Sequence, residues 1–223
     1  MGSLFLVRHG QASFGADDYD QLSELGTRQC RRLGEYLHTR GQRFDAVLVG
    51  TLQRHRQSLA AISEGLPGFP AALDWPGLNE YDSHALIQAI HPEPLAKPDT
   101  PELYRHHFRL LRQALEAWMN GTIAPQGMPS YEAFRSGVVA ALDHVREHHH
   151  GNHVLLVSSG GPISTAVGHI VGSPAAITID LNMRIRNSAL TEFAFTPKRH
   201  MLVSYNTVPH LDDPQTRDWV TYA

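Results

Sequence analysis

One cysteine, Cys30, stands in the 223-residue chain. It excludes an intrachain disulfide and a metal site built from several thiolates, and it fits a reducing compartment. Long apolar runs are missing too, since none approaches the roughly 18 residues that a membrane helix needs. The amino terminus shows no basic stretch ahead of Leu4-Phe5-Leu6-Val7, and Leu6 stands where a myristoylation signal would want Ser or Thr. A soluble, cytoplasmic protein is expected. Neither sign of charge is in large excess, with 19 Lys plus Arg against 22 Asp plus Glu and a formal net charge of −3. Nucleic acid and membrane are therefore not expected as partners. Two common phosphate-binding turns are absent, G-x-x-x-x-G-K-[ST] and a G-x-G-x-x-G after the first strand, so nucleotide-driven motors and dinucleotide oxidoreductases drop out. No repeat with a period of 20 to 50 residues and no low-complexity linker divides the chain, which predicts one domain over residues 1–223.

What is present is a chain 42% apolar, enough to bury a sizeable core. Short β-rich runs recur at Leu4 to Val7, Ala46 to Val49, Val154 to Val157 and the alternating Leu190 to Phe195. Between them lie helical spacings. Leu25, Leu33, Tyr36 and Leu37 follow a candidate cap at Ser23 and end near Gly41, and Leu59 with Ile62 precedes Gly65. Phe134, Val138, Leu142 and Val145 mark one face of a helix from about Ser130. Pro162 to Val171 forms another, with Pro at its first position and Gly172 past its end. Strand and helix in alternation predict an α/β three-layer sandwich, a mostly parallel central sheet with helices on both faces. The segment 81–129 breaks that rhythm: Pro92, Pro94, Pro98 and Pro101 interrupt it, and Leu103 to Met119 is one amphipathic helix. It is expected to be a helical cap insertion that sets substrate choice.

Arg8, His9 and Gly10 directly follow the first strand, at the end of an open α/β sheet where ligands bind. The guanidinium of Arg8 is a planar fork suited to phosphate, and Gly10 permits close backbone approach. Taken alone, these three residues favour a plain polar strand exit.

The longer run Arg8-His9-Gly10-Gln11-Ala12-Ser13 resembles the signature of the histidine phosphatase superfamily, also called the phosphoglycerate-mutase-like family. Leu22-Ser23-Glu24-Leu25-Gly26 with Gln29 is similar to the opening of that family's first helix. Thr51 to Ser58 is similar to the segment that supplies its second phosphate-binding arginine, here Arg54, and Leu78-Asn79-Glu80 to the segment bearing its proton-donor carboxylate, here Glu80. Val154 to Ile163 resembles its second signature strand and turn, and Asn206 to Leu211 also fits. The resemblance implies His9 as nucleophile, Arg8 and Arg54 as phosphate clamps, and Glu80 as proton donor. Gln11, Ser13, Ser159 and the backbone of Gly160 would face the phosphate. No metal or organic cofactor is implied, because one histidine and two arginines supply nucleophile and charge.

Two positions depart from the pattern. Ser159 stands where the family carries a second active-site histidine, and Gly15 where many members have asparagine. His153 cannot substitute, since it lies at the opposite end of its strand. A serine donates one neutral hydrogen bond and supplies no cation, so a slower phosphatase is expected, by on the order of 10²–10³ for one lost donor. Ser159 itself is expected to face the phosphate, with His210 as the first alternative donor. Of the other histidines, 15 in all, His148 to His150 are expected at a solvated helix end, while His106 and His107 lie in the insertion.

The expected activity is hydrolysis of a small phosphomonoester through a phosphohistidine. A phosphomutase with the same His9, or a catalytically weak phosphoester-binding module, are the alternatives. A serine hydrolase is disfavoured, because Val157 occupies the place of the glycine that a nucleophile elbow needs two residues before Ser159.

Overall fold

The computed structural model describes residues 1–13, 20–96 and 100–222. Gly15 and Pro98 lie outside the described residues. The elements run β1 (Gly2–Arg8), α1 (Glu24–Thr39), β2 (Ala46–Val49), α2 (Gln53–Gly65), β3 (Ala72–Asp74), α3 (Ser83–Ile90), α4 (Pro101–Met119), α5 (Tyr131–His148), β4 (His153–Ser158), α6 (Gly160–Val171), α7 (Ala175–Arg184), β5 (Leu190–Thr196) and β6 (Arg199–Thr207). The strands form one sheet in the order β3-β2-β4-β1-β5-β6. From β3 to β1 all pairings are parallel, while β5 and β6 add antiparallel at the other edge.

Alternation along the strands builds the two outer layers. Leu4, Leu6, Val154 and Leu156 point into a core shared with Val138, Leu142 and Val145 of α5 and Ile163 of α6. Val7, Val47, Val49, Leu155 and Val157 point the other way, onto Cys30 and Leu33 of α1 and Ile62 of α2. Both faces of the sheet are thus covered by helices, as parallel strands require. Ser23 caps α1 by accepting from Gly26 N, and Ser130 caps α5 by accepting from Ala133 N. Each such cap contributes about 1 kcal/mol.

The structure adds elements that the spacing did not predict. β3 is three exposed residues, and β6 is an edge strand with little burial beyond His200, so neither carries an alternating pattern. Helices α3 and α7 are short. α6 begins at Gly160, two residues before Pro162, which moves Pro162 from the first helical position to the third.

Within 81–129, α3 and α4 pack together through Leu86, Ile87, Leu110, Leu111, Ala114 and Trp118, joined by Ile179 of α7. This is a small core of its own beside the layered one. Among the described residues, no helix is long and apolar enough to cross a membrane.

Candidate active site

The parallel strands deliver their carboxyl ends to one place. Arg8 ends β1 and His9 follows it; Gly50 to Leu52 follow β2 and lead into Arg54 on the first turn of α2; Ser159 and Gly160 follow β4 and open α6. These ends border a cavity of about 500 Å³ whose wall includes Arg8, His9, Arg54, Glu80 and Gly160. Five of the residues expected at the site are therefore together.

His9 is 3% exposed. Its Nδ1 lies 2.7 Å from the carbonyl oxygen of Gly10. A carbonyl only accepts, so Nδ1 carries the hydrogen and Nε2 keeps its lone pair. Burial, reinforced by the positive charges of Arg8 and Arg54, holds the imidazole well below its ordinary pKa. A neutral ring with one free nitrogen is the form a nucleophile needs.

Arg8 is anchored by residues distant in the chain, where Nη1 donates to the backbone carbonyls of Ile185, at 2.6 Å, and Tyr222. Arg54 pairs with Asp20, Nη1 to Oδ1 at 2.8 Å. The same carboxylate accepts from Gln53 N at 2.8 Å, so it caps α2, whose own cap residue Leu52 has no side chain to offer. One carboxylate thus aims the arginine and closes the helix end.

Glu80 follows a 3-10 turn at Pro76–Leu78 and accepts from Gly161 N at 3.1 Å and Tyr81 N at 3.2 Å. Burial outweighs those bonds and the two arginines and raises its pKa. A raised pKa favours the protonated form, which can give a proton to a leaving oxygen. Glycine is required at 161, since a Cβ there would lie 2.1 Å from Glu80 Oε1.

Three expected contacts lie elsewhere. Gln11 donates its backbone N to Gln29 Oε1 and accepts from Ser23 Oγ with its own side-chain oxygen, so it is engaged with α1. Ser13 bonds Gln21 through its backbone, and neither residue is on the cavity wall. Ser159 is fully buried, and its Oγ sits 2.7 Å from His55 Nε2. Its hydroxyl is bonded to that imidazole, and Ser159 is not on the cavity wall. His210 is no substitute donor, for it is buried against Ser188 Oγ at 2.8 Å, with its ring tilted beside that of Tyr36. In the insertion, His107 reaches the wall while His106 bonds Arg109.

Sequence reasoning missed Asp20, Tyr81, Asn182 and His55. Tyr81 and Asn182 line the cavity and bond each other, Asn182 Nδ2 to Tyr81 OH at 2.7 Å. They lie 101 positions apart, and no local pattern connects them. His55 was within the run that carries Arg54, and its adjacency to that residue was the one available signal.

A buried neutral histidine, two arginines and a protonatable carboxylate at the carboxyl ends of parallel strands have the chemistry that suits phosphoryl transfer. The profile of the histidine phosphatase superfamily (branch 1) matches residues 4–208, and the chain belongs to that superfamily. An adenosylcobalamin/alpha-ribazole phosphatase of Escherichia coli (strain K12) is 26% identical over 191 residues, covering 77% of this chain and 80% of that protein. The phosphoserine phosphatase of Entamoeba histolytica, solved with phosphoserine, superposes with a TM-score of 0.66 at 17% identity, over 95% of this chain and 100% of the other. The alpha-ribazole phosphatase of Shigella flexneri gives 0.65 at 19% identity, over 92% and 96%. The family and these relatives are phosphatases.

Proposed function

We propose that this protein hydrolyses a small phosphomonoester through a phosphohistidine on His9. The observation that carries the proposal is the bond from His9 Nδ1 to the Gly10 carbonyl, which leaves Nε2 with its lone pair in a residue that shares a cavity with Arg8, Arg54 and Glu80. In the first step Nε2 attacks phosphorus, the ester P–O bond breaks with its electron pair going to the leaving oxygen, and Glu80 gives that oxygen its proton. In the second, the Glu80 carboxylate takes a proton from water, the water oxygen attacks phosphorus, and the N–P bond breaks to return neutral His9 and free phosphate. Arg8 and Arg54 hold the non-bridging oxygens and balance their charge through both transition states. Gly160, in the first turn of α6, offers the positive end of a helix dipole to the same oxygens.

The segment 81–129 acts as a cap and sets the substrate class. Its contributions to the wall include Tyr104, Phe108 and Leu111 of α4, facing Met183 of α7. Among the described residues, Arg8 and Arg54 are the only arginines or lysines on that wall, and Asp82 is a further carboxylate there. Such a pocket accepts one phosphoryl group and an apolar or aromatic alcohol, and disfavours an alcohol with a second anionic group.

Steady-state turnover of an aryl phosphate tests the reading. The wild type is expected to release phosphate and His9→Ala to release none above background. Equal turnover by both proteins would overturn it.

A further inference from the structure

His55 is fully buried and lies outside the steps just described. Its ring sits behind the nucleophile, 5.8 Å from the His9 ring between centroids and tilted by 36°. Its Nε2 holds Ser159 Oγ at 2.7 Å. Burial, with Arg54 beside it, lowers its pKa to about 3, so the ring is neutral at ordinary pH. Room for it comes from Gly50, where a Cβ would lie 2.2 Å from His55 Nδ1.

A second observation comes from α6. Ser159 is the cap residue of that helix, and serine there normally accepts from an N–H in the first turn. Ser159 makes no such bond, because its hydroxyl is turned to His55. The first turn of α6 is left to the site instead: Gly161 N donates to Glu80, and Gly160 lines the cavity.

From these contacts we infer that His55 is a positioning residue, and that the His55–Ser159 pair holds the His9 ring and the amino end of α6 in register for phosphoryl transfer. The inference rests on the proposed phosphohistidine reading and deepens it. It also gives the serine at position 159 a role, since its hydroxyl is the partner of the buried imidazole on α2. Losing either partner lets the His9 ring tilt, and losing His55 also frees the Ser159 hydroxyl to cap α6; misplacing a nucleophile by about 1 Å costs up to about 10²-fold in rate.

The test uses Ser159→Ala, which removes one oxygen and keeps the packing, beside His55→Gln, whose amide reaches the same hydroxyl. Ser159→Ala is expected to lower kcat about tenfold or more, with KM and the thermal midpoint nearly unchanged, and His55→Gln to keep most of the wild-type kcat. His55→Ala combined with Ser159→His, which returns an imidazole from the other side, is expected to exceed His55→Ala alone in kcat. Nitrogen NMR of the imidazole rings gives a readout independent of turnover: Ser159→Ala should shift the signals of both His55 and His9. A wild-type kcat in Ser159→Ala, or His9 signals unmoved by it, would overturn the inference. A wild type without turnover, but with coupled ring signals, would instead defeat the phosphatase reading and leave the pair standing.

Discussion

In the proposed reaction the role of Glu80 depends most on its surroundings, since an ordinary carboxyl would be ionised at neutral pH and have no proton to give. Burial raises its pKa, and the N–H groups of Gly161 and Tyr81 oppose that rise without cancelling it. Its value to the reaction depends on the leaving group. An alkoxide needs a proton as it departs, whereas p-nitrophenolate is stable without one. Glu80→Gln is therefore expected to lower kcat on an alkyl phosphate by on the order of 10²-fold or more, and on p-nitrophenyl phosphate far less. For the wild type acting on an alkyl phosphate, the rate should fall as pH rises through the raised pKa of Glu80, because the proton is lost. Equal losses on both substrates would remove Glu80 from the donor role. At this scale the sequence was informative where residues sit in strand ends and signature runs: His9, Arg8, Arg54, Glu80 and Gly160 all reach the cavity. It was silent on the partner of Ser159, because the bond to His55 spans 104 positions and depends on how α2 lies against α6.

Between elements, the proposed cap role of α3 and α4 separates substrate choice from chemistry. Helix α4 keeps Leu110, Leu111, Ala114 and Trp118 buried, and it presents the half-buried Phe108 to the cavity. A cation at that place would add what the wall lacks. Phe108→Arg is expected to raise kcat/KM for 3-phosphoglycerate relative to phenyl phosphate by about tenfold, the worth of one favourable charged contact of some 1.4 kcal/mol. An unchanged ratio in a folded variant would show that α4 does not select the alcohol. The amphipathic spacing from Leu103 to Met119 announced α4, and Ser23 and Ser130 announced the starts of α1 and α5. Edge strand β6 and the three residues of β3 gave no such signal. One face of a central strand must be apolar at every second residue, but an edge strand with a single buried residue is under no such constraint.

For the molecule as a whole, burying neutral histidines ties stability to pH. His55 and His210 have pKa values lowered to about 3, and His9 lies well below its ordinary value, all chiefly through burial. In the unfolded chain each returns to about 6.5. At these histidines the native state binds fewer protons than the unfolded one below about pH 6.5, so the stability they contribute is complete above pH 6.5 and is lost as pH falls. His55 and His210 together give a slope of about 2.7 kcal/mol per pH unit near pH 5, and His9 adds in the same direction. Urea unfolding at pH 7 and pH 5 should show the loss, and equal midpoints would contradict it.

The central claim is that His9 accepts the phosphoryl group. Mixing the protein with an aryl phosphate, quenching in alkali within one turnover and mapping the peptides by mass spectrometry tests it most directly. A phosphoryl group on His9, present early and gone once substrate is exhausted, is the predicted result. Turnover with no adduct on His9, or with the adduct on another residue, would contradict it.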